Sequence, residues 1–237
     1  MNRDAKPGLV LVPGLLCDAL LWKAQIEALG GQVQCWVADH TRSATMAGVA
    51  ADVLKDAPFE CFALAGLSMG GYAAFEIVRQ AAHRVDRLAL LDTSARADTP
   101  EQIERREGLI ALARRGRFAG VTQGLLPLFV HRDRLGDRQL VDTVKTMSIN
   151  IGRNAFIRQE QAIKSRADSL PLLPTIVCPT LVLCGRQDAV APLDRHEEMA
   201  GGISGATLEV IEDCGHLSTL ERPAEVSDAL RVWLSAG

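Results

Sequence analysis

The chain has 237 residues, of which 48% are hydrophobic and 23% charged, and it carries a formal net charge of −3. This length and composition are typical of a single folded domain and exclude intrinsic disorder. Charges of both signs are interspersed, so the sequence has no basic stripe of the kind that nucleic acid or an anionic membrane would require. We therefore expect no nucleic-acid partner and no membrane partner.

The cysteine pattern and the amino-terminal segment both favour a cytoplasmic protein. Residues 1–8 lack the charged region, the long apolar region and the small-residue cleavage site of a secretory signal. Apolar runs stay below the roughly 18 residues of a membrane span. The six cysteines are scattered without a CxxC pair, and the five histidines are dispersed. We therefore expect free thiols in a reducing compartment and no metal site.

Six short apolar runs have the length of β-strands, and helical patterns separate most of them. Their near-continuous apolarity is typical of strands that are buried on both faces. The sequence therefore predicts an α/β fold, with a mainly parallel sheet of about six strands and helices on both faces. In chain order the predicted elements are strand Leu9–Val12, helix Asp18–Leu29, strand Val33–Val37, helix Thr45–Leu54, strand Cys61–Ala65, helix Ser68–Arg79, strand Leu88–Leu91, strand Leu181–Cys184, strand Leu208–Ile211 and helix Ala224–Leu234.

The alternation of strands and helices stops between about Ser94 and Pro174, where the pattern is helical without a convincing strand. Because a long structureless loop is unusual within one domain, we predict that residues 95–172 fold as a lid of three to five helices. This lid is expected over the carboxyl ends of the strands, inserted between core parts at 1–94 and 173–237. The helical patterns of the lid are Pro100–Arg117, Leu125–Val130, Asp137–Ile149 and Ala155–Ser165.

Two groups of lid residues are candidates for contact with a substrate. Apolar side chains would line a small hydrophobic pocket, although packing of the lid onto the core explains each of them equally well. Arginines would meet a carboxylate on the substrate, or would simply be solvated. The apolar candidates are Leu125, Leu126, Leu128, Phe129, Met147 and Phe156, and the arginine candidates are Arg153, Arg158 and Arg166.

The segment Gly66-Leu67-Ser68-Met69-Gly70 lies directly after a predicted strand and directly before a predicted helix. A serine on such a sharp turn takes a positive φ, and the glycines on either side leave room for the strand and the helix to pass closely. The turn also lifts the hydroxyl towards a helix amino terminus, which favours a developing anion. We therefore predict that Ser68 is a nucleophile. The alternative is a glycine-rich turn whose serine only caps the helix.

A serine nucleophile needs a base within hydrogen-bond reach and an acid that orients the base. His216 follows the last predicted strand and is the predicted base. Asp188 follows the strand at 181–184 and is the predicted acid, which produces the chain order Ser, Asp, His. Asp92, directly after the strand at 88–91, is the rival acid.

Other acidic and histidine side chains are assigned lesser roles. Asp213 is interpreted as a turn residue and Asp194 as a helix cap. His40 lies near a strand end and is a candidate to line the site. The three remaining histidines lie in charged or helical surroundings and are predicted to lie on the surface. They are His83, His131 and His196.

The tetrahedral intermediate of acyl transfer needs two fixed hydrogen-bond donors for its oxyanion. The backbone N–H of Met69, the residue after the nucleophile, is the first predicted donor. The second is the N–H of Leu15 in the loop Pro13-Gly14-Leu15-Leu16, where Gly14 permits the turn. The alternative for this loop is a plain strand-to-helix turn.

With these residues assembled, the chain resembles the α/β-hydrolase family over nearly its whole length. The segments from Pro179 to Asp188 and from Gly215 to Pro223 are similar to those of small carboxylesterases and enol-lactone hydrolases. The resemblance implies the fold, the triad and acyl-serine chemistry, and it implies the substrate only loosely. The chain departs from many relatives in having a proline at position 13 where they carry histidine. Its short amino terminus predicts six strands rather than eight.

The resulting hypothesis is a serine hydrolase that cleaves a small carboxylic ester or lactone without a cofactor or a metal. A carbon–carbon bond hydrolase, a thioesterase or an acyltransferase would use the same triad, and a ligand receptor could retain it for binding. A homodimer is an alternative that rests only on the base rates of oligomers. A purely structural role has little support, because it would not require serine, aspartate and histidine at three strand ends.

Overall fold

The computed structural model describes residues 6–235, which contain a six-stranded sheet. Its strands are β1 (Gly8–Val12), β2 (Gln34–Val37), β3 (Phe62–Leu67), β4 (Val85–Leu91), β5 (Thr180–Gly185) and β6 (Thr207–Ile211). They lie in the order β2-β1-β3-β4-β5-β6, and every neighbouring pair is parallel. The predicted α/β fold with a parallel sheet of six strands is confirmed.

Nine α-helices connect or follow these strands within the described residues. They are α1 (Lys23–Leu29), α2 (Met46–Asp56), α3 (Met69–Ala81), α4 (Pro100–Arg114), α5 (Leu126–Phe129), α6 (Arg138–Lys164), α7 (Leu193–Gly202), α8 (Ser218–Glu221) and α9 (Pro223–Ser235). The helix predicted at Asp18–Leu29 is divided into a 3-10 turn at Ala19–Trp22 and α1. The division follows from the Asp18 side chain, which accepts a hydrogen bond from Leu20 N and so caps the turn.

Alternate strand residues point to opposite sides of the sheet, and helices cover both sides. On one side, Leu9 and Leu11 of β1 belong to a buried cluster that also contains residues of α1 and α9. On the other side, Val10 and Val12 pack in a second cluster with residues of α2, α3 and α7. Burial of both faces explains why the strands are apolar at nearly every position.

The segment between β4 and β5 contains α4, α5 and α6 and no strand. The helix α6 is interrupted at Gly152, whose φ of 73° and ψ of 171° are not helical. The interruption falls between the two helices that the sequence predicts, which end at Ile149 and begin at Ala155. Leu126 and Met147 of this segment share a buried cluster with residues of the sheet. Its action as a lid stays a prediction.

Three further properties bear on the choice of function. Among residues 6–235, no helix is both long and apolar enough to cross a membrane. In the same part of the chain, no group of three or more His, Cys, Asp or Glu side chains is arranged to hold a metal ion. All six cysteines lie within these residues as free thiols, and three of them, Cys17, Cys184 and Cys214, are buried.

Candidate active site

The turn between β3 and α3 places Ser68 at the carboxyl edge of the sheet. Ser68 has φ 55° and ψ −115°, a strained conformation that a residue with a Cβ adopts only when its surroundings hold it there. Its N–H donates to Leu91 O at 2.9 Å, and its carbonyl oxygen accepts from Thr93 Oγ1 at 2.8 Å. Leu91 at the end of β4 and Thr93 just beyond it therefore hold the turn that carries Ser68.

Close packing explains the two glycines that flank the serine. A Cβ on Gly66 would lie 2.2 Å from Gly70 O, and a Cβ on Gly70 would lie 2.0 Å from Val12 O. Both obstacles are backbone atoms, which cannot move aside as the end of a flexible side chain can. A side chain at either position would force α3 away from the strand beside it, β3 at Gly66 and β1 at Gly70.

The loops after β5 and β6 bring Asp188 and His216 to Ser68. The distance from His216 Nε2 to Ser68 Oγ is 2.9 Å, and that from His216 Nδ1 to Asp188 Oδ2 is 2.8 Å. His216 and Asp188 are buried, and Ser68 is half-buried. The three residues predicted from the sequence thus form one chain of hydrogen bonds, from hydroxyl through imidazole to carboxylate.

Burial and mutual attraction set the charge states of this pair. Burial alone would raise the pKa of Asp188, but His216 and the N–H groups of Ala191 and Val190 hold that pKa below its ordinary value. Burial alone would lower the pKa of His216, but the charge and hydrogen bond of Asp188 raise it above its ordinary value of 6.5. Asp188 is therefore an anion placed to stabilise an imidazolium.

Asp92, the rival acid, lies beside this chain of hydrogen bonds but directs its own bonds elsewhere. Its Oδ1 accepts from Gly185 N at 3.1 Å, and its Oδ2 bonds with Ser218 N at 3.2 Å and Ser218 Oγ at 2.5 Å. Burial and the charge of Asp188 raise the pKa of Asp92 to about 8. Asp92 therefore ties together the loops that carry Asp188 and His216, and its burial favours the neutral form.

The two predicted oxyanion donors lie on either side of Ser68. The loop Pro13–Leu16, called the oxyanion loop below, runs against the serine, because a Cβ on Gly14 would lie 3.4 Å from Ser68 Cβ. Within residues 6–235 the N–H groups of Leu15 and Met69 have no hydrogen-bond acceptor. Both N–H groups are therefore free to bind an oxygen of a ligand. Their role as oxyanion donors stays a prediction.

The structure corrects two of the histidine predictions. His83 is exposed as predicted, but His131 and His196 are buried, so their placement on the surface is wrong. Burial lowers the pKa of His196 to about 4, and its Nε2 accepts from Thr93 N at 3.0 Å. The backbone N–H of His131 donates to Glu221 Oε2 at 2.7 Å. The contacts with Thr93 and Glu221 span 103 and 90 positions of sequence, so a local pattern does not predict them.

The remaining secondary assignments are partly confirmed. Asp213 lies in the turn after β6 with φ 48°, as predicted. Asp194 is not a cap, because Pro192 precedes α7 and Asp194 lies in the first turn, where its charge favours the helix dipole. His40 is buried, and its Nε2 lies 3.0 Å from Gly14 O. It therefore contacts the oxyanion loop itself.

Phe129 is the apolar lid candidate with the most direct contacts to the triad. The centroid of its ring lies 6.2 Å from that of His216. Its carbonyl oxygen accepts from His216 N at 3.1 Å and from Leu217 N at 3.2 Å. The helical segment therefore holds the loop that carries the predicted base.

The other lid candidates are explained by packing or by exposure. Leu126 and Met147 are fully buried in the core. The rings of Phe156 and Phe118 pack with their centroids 5.2 Å apart. Leu125 is exposed. Leu128 is half-buried. None of these contacts assigns a substrate.

Two of the three arginine candidates are engaged within the protein. Arg166 Nη1 lies 2.6 Å from Asp98 Oδ1 in a buried ion pair. Arg158 Nε donates to Thr41 O at 2.7 Å. Arg153 borders an open surface groove of about 500 Å³. A substrate carboxylate would have to compete with existing partners at the first two positions.

Sequence reasoning missed three polar residues that hold the active-site loops. Gln159 contacts the oxyanion loop, Thr93 holds the serine turn, and Glu221 accepts from Gly215 N at 3.0 Å beside the base. Thr93 could have been found, since it stands two residues beyond the carboxyl end of β4. Gln159 lies in a helical pattern without a motif, and Glu221 lies in the segment after His216 with no sign of its partners, so only the contacts with Leu16 and with His131 disclose them.

A strained serine turn on a parallel sheet, with histidine and aspartate on later strand-end loops, is the arrangement common to α/β hydrolases. The sequence model of the alpha/beta hydrolase family matches residues 9–229, and the chain belongs to that family. The expected resemblance is thereby confirmed.

Solved structures and a curated relative extend this comparison. A thermophilic esterase from Thermogutta terrifontis, solved with malate bound, is 31% identical with a TM-score of 0.88, over 97% of this chain and 90% of that chain. An enol-lactonase from Burkholderia xenovorans LB400 is 24% identical with a TM-score of 0.88, over 100% and 94% of the two chains. A pimeloyl-[acyl-carrier protein] methyl ester esterase from Aromatoleum aromaticum is 24% identical over 95% of this chain and 96% of the relative. Two other curated relatives match only in part, and this chain spans 28% and 22% of their length.

Proposed function

We propose that the protein is a serine hydrolase that cleaves a small carboxylic ester or lactone through an acyl-serine intermediate. The observation that carries the proposal is the contact of 2.9 Å between Ser68 Oγ and His216 Nε2, with Asp188 on the opposite ring nitrogen. A serine hydroxyl is a poor nucleophile unless such a base accepts its proton.

The first half of the reaction forms the acyl-enzyme. Ser68 Oγ attacks the carbonyl carbon of the substrate while His216 Nε2 takes the hydroxyl proton. The carbonyl oxygen becomes an oxyanion, for which the N–H groups of Leu15 and Met69 are available as donors. Collapse of this intermediate breaks the bond to the alcohol oxygen, which receives the proton from His216.

The second half of the reaction frees the serine. His216 takes a proton from a water molecule, which attacks the acyl carbon. The bond from that carbon to Ser68 Oγ then breaks, Oγ receives the proton from His216, and the carboxylic acid leaves. Asp188 fixes the imidazole tautomer and stabilises its cation throughout. A lactone is an internal ester, so the same steps open its ring and yield a hydroxy acid.

One observation favours an ester over other acyl substrates, and a second favours a small substrate. The esterase from Thermogutta terrifontis is similar in sequence and covers nearly the whole chain. The triad is largely buried, which suits a small substrate that the protein encloses. We propose a small-molecule substrate on these grounds.

A substrate panel tests the proposal. Purified protein is assayed with short-chain p-nitrophenyl esters, an aromatic lactone, an acyl thioester and a vinylogous diketone, whose hydrolysis breaks a carbon–carbon bond. The products of each reaction are analysed. We expect the highest kcat/KM for the ester or the lactone. Ser68→Ala should abolish turnover, whereas Ser94→Ala, at a serine just beyond β4, should retain it.

The panel also identifies the alternatives. Faster cleavage of the diketone or the thioester would show that the protein is another enzyme that uses the same triad, rather than an ester hydrolase. Saturable binding with turnover far below the ~1 s⁻¹ of modest enzymes would indicate a ligand receptor instead.

A further inference from the structure

The oxyanion loop is held by a buried glutamine from the helical segment. Leu16 N donates to Gln159 Oε1 at 3.2 Å across 143 positions of sequence. Gln159 lies in α6 and is fully buried. Its side chain therefore has no access to water and must find its hydrogen-bond partners within the protein.

The orientation of the Gln159 amide follows from its two neighbours. Its Nε2 lies 2.9 Å from His40 Nε2, and an amide nitrogen can only donate. Turning the amide over would place its nitrogen against Leu16 N, so that two donors would face each other. His40 Nε2 must therefore be an acceptor, with the ring proton on Nδ1.

The state of His40 agrees with this assignment. Burial lowers the pKa of His40, so the neutral ring with one acceptor nitrogen is favoured. Gly14 O, which also lies 3.0 Å from His40 Nε2, already accepts from Cys17 N at 3.1 Å. In the tautomer that accepts from Gln159, the contact of His40 Nε2 with Gly14 O is not a hydrogen bond, and the Gly14 carbonyl keeps its bond from Cys17 N.

The backbone of Leu16 shows why an anchor is needed. Leu16 has φ 60°, a left-handed conformation that is costly for a residue with a Cβ and persists only where the surroundings hold it. The peptide between Leu15 and Leu16 is held at both ends, since Leu15 O accepts from Cys17 Sγ at 3.5 Å. The N–H of Leu15 belongs to the preceding peptide, which joins this one at Leu15 Cα and is itself held at Gly14 O, the acceptor of Cys17 N at 3.1 Å. Fixing the Leu15–Leu16 peptide therefore limits how far the preceding peptide and its N–H can turn.

We propose that Gln159 is a positioning residue, which holds the oxyanion loop so that the N–H of Leu15 points at the developing oxyanion. The inference rests on the proposed function, because an oxyanion forms only if Ser68 attacks a carbonyl group. The helical segment then positions a catalytic group in addition to packing over the sheet.

Gln159→Met tests the proposal, because methionine keeps the length and volume of the side chain but removes both hydrogen bonds. Loss of an oxyanion donor costs about 10²–10³ in kcat, and misdirection of one should cost about 10- to 100-fold. KM for a p-nitrophenyl ester should change little, since the interaction acts mainly in the transition state. The inhibition constant of a trifluoromethyl ketone, which binds Ser68 as an oxyanion, should rise by the same factor as kcat falls.

Two further variants keep the test decisive. Gln161→Met removes a glutamine from the same helix that makes no contact with the oxyanion loop, and it should match the wild type. Gln159→Asn keeps an amide in the core but is one methylene too short to reach Leu16, so it should lose kcat as Gln159→Met does. All rates are expressed per Ser68 that an active-site phosphonate labels, so that unfolded protein is not counted.

The possible results separate the inference from the proposed function. A Gln159→Met protein that is fully labelled and keeps wild-type kcat and inhibition constant would overturn the inference alone. A change in KM without a change in kcat would also overturn the inference, because it would show that Gln159 stabilises the bound substrate and the transition state equally. Wild-type protein that the phosphonate fails to label would overturn both the proposed function and the inference.

Discussion

At the scale of residues, two buried aspartates at neighbouring strand ends have pKa values that are shifted in opposite directions. The pKa of Asp188 is lowered by its partner His216, and that of Asp92 is raised to about 8 by burial and by the charge of Asp188. Environments that push the pKa values of two carboxyl groups apart in this way suit the two groups to different tasks. Asp188 is suited to orient and stabilise the base, and Asp92 to join two loops as a neutral acid.

Asp188→Asn should lower kcat by about 10⁴, the loss seen when the same change is made in a serine protease triad. The amide cannot stabilise the imidazolium, and it favours the wrong ring tautomer. The measurement is steady-state hydrolysis of a p-nitrophenyl ester by purified variant. Turnover close to that of the wild type would show that another acid serves His216.

Asp92→Asn is the matched comparison, and we expect it to keep most of the activity. The amide oxygen can still accept from Gly185 N, and because the Ser218 hydroxyl, which donates to Asp92 Oδ2, can rotate, the amide NH₂ group can donate to Ser218 Oγ instead. Ser218 N is buried and loses its acceptor, which should cost about 1–3 kcal/mol of stability. A loss of turnover as large as that of Asp188→Asn, in a variant that unfolds at an unchanged temperature, would favour the rival assignment of Asp92.

The pH dependence of kcat/KM follows from His216. The base must be neutral to accept the proton of Ser68, and Asp188 raises its pKa above 6.5. Activity should therefore be lost as the pH falls through a midpoint above 6.5. In Asp188→Asn the attraction disappears while burial remains, so the residual activity should have its midpoint at lower pH. A midpoint that does not move would mean that the two side chains are not coupled.

At the scale of elements, the break in α6 depends on a conformation that only glycine adopts readily. Gly152 combines a φ of 73° with a ψ of 171°, a region that is nearly closed to other residues. Gly152→Ala should reduce the free energy of unfolding by roughly 1–3 kcal/mol, because nothing within 4 Å of the added Cβ compensates for the strain.

Gly108→Ala provides the control for this prediction. Gly108 is an exposed residue within α4 with open space around it, so alanine should stabilise the protein by about 0.4–1 kcal/mol. Both variants are compared by urea unfolding. Equal effects of the two substitutions would show that the break at Gly152 is not maintained in solution.

The elements were more predictable from the sequence than the contacts between them. Periodicity and apolar runs indicate the six strands, and the GxSxG turn together with strand-end positions indicates Ser68, Asp188 and His216. The sequence favours Asp188 as the acid through the chain order Ser, Asp, His, but Asp92 stays a rival because it also directly follows a strand. Local pattern also cannot show that Gln159 reaches Leu16, since that bond spans 143 positions.

At the scale of the whole molecule, a buried ion network ties the helical segment together. Arg106 joins Asp98 at 2.7 Å and Glu160 at 2.7 Å, and Arg166 contacts Asp98 from the other side. Arg166 also lies over the Tyr72 ring of α3, 4.2 Å from its centroid. Together with the shared apolar cluster, the network predicts that the segment and the core unfold as one unit.

Arg106→Met should lower the free energy of unfolding by about 3 kcal/mol, because it leaves the buried Glu160 carboxylate without its partner. Arg186→Met is the control, since Arg186 pairs with Glu212 on the exposed surface, and it should cost less than about 1 kcal/mol. Calorimetry should show a single transition for the wild type. Two separate transitions would contradict the view that the helical segment shares the core.

The central claim is that Ser68 attacks a carbonyl or similar electrophile with the help of His216. The most direct measurement is reaction of the purified protein with an active-site phosphonate, followed by intact mass and peptide mapping. The account predicts one label per chain, located on Ser68, and no label in Ser68→Ala. Well-folded protein that takes up no label, or takes it up at another residue, would contradict the account.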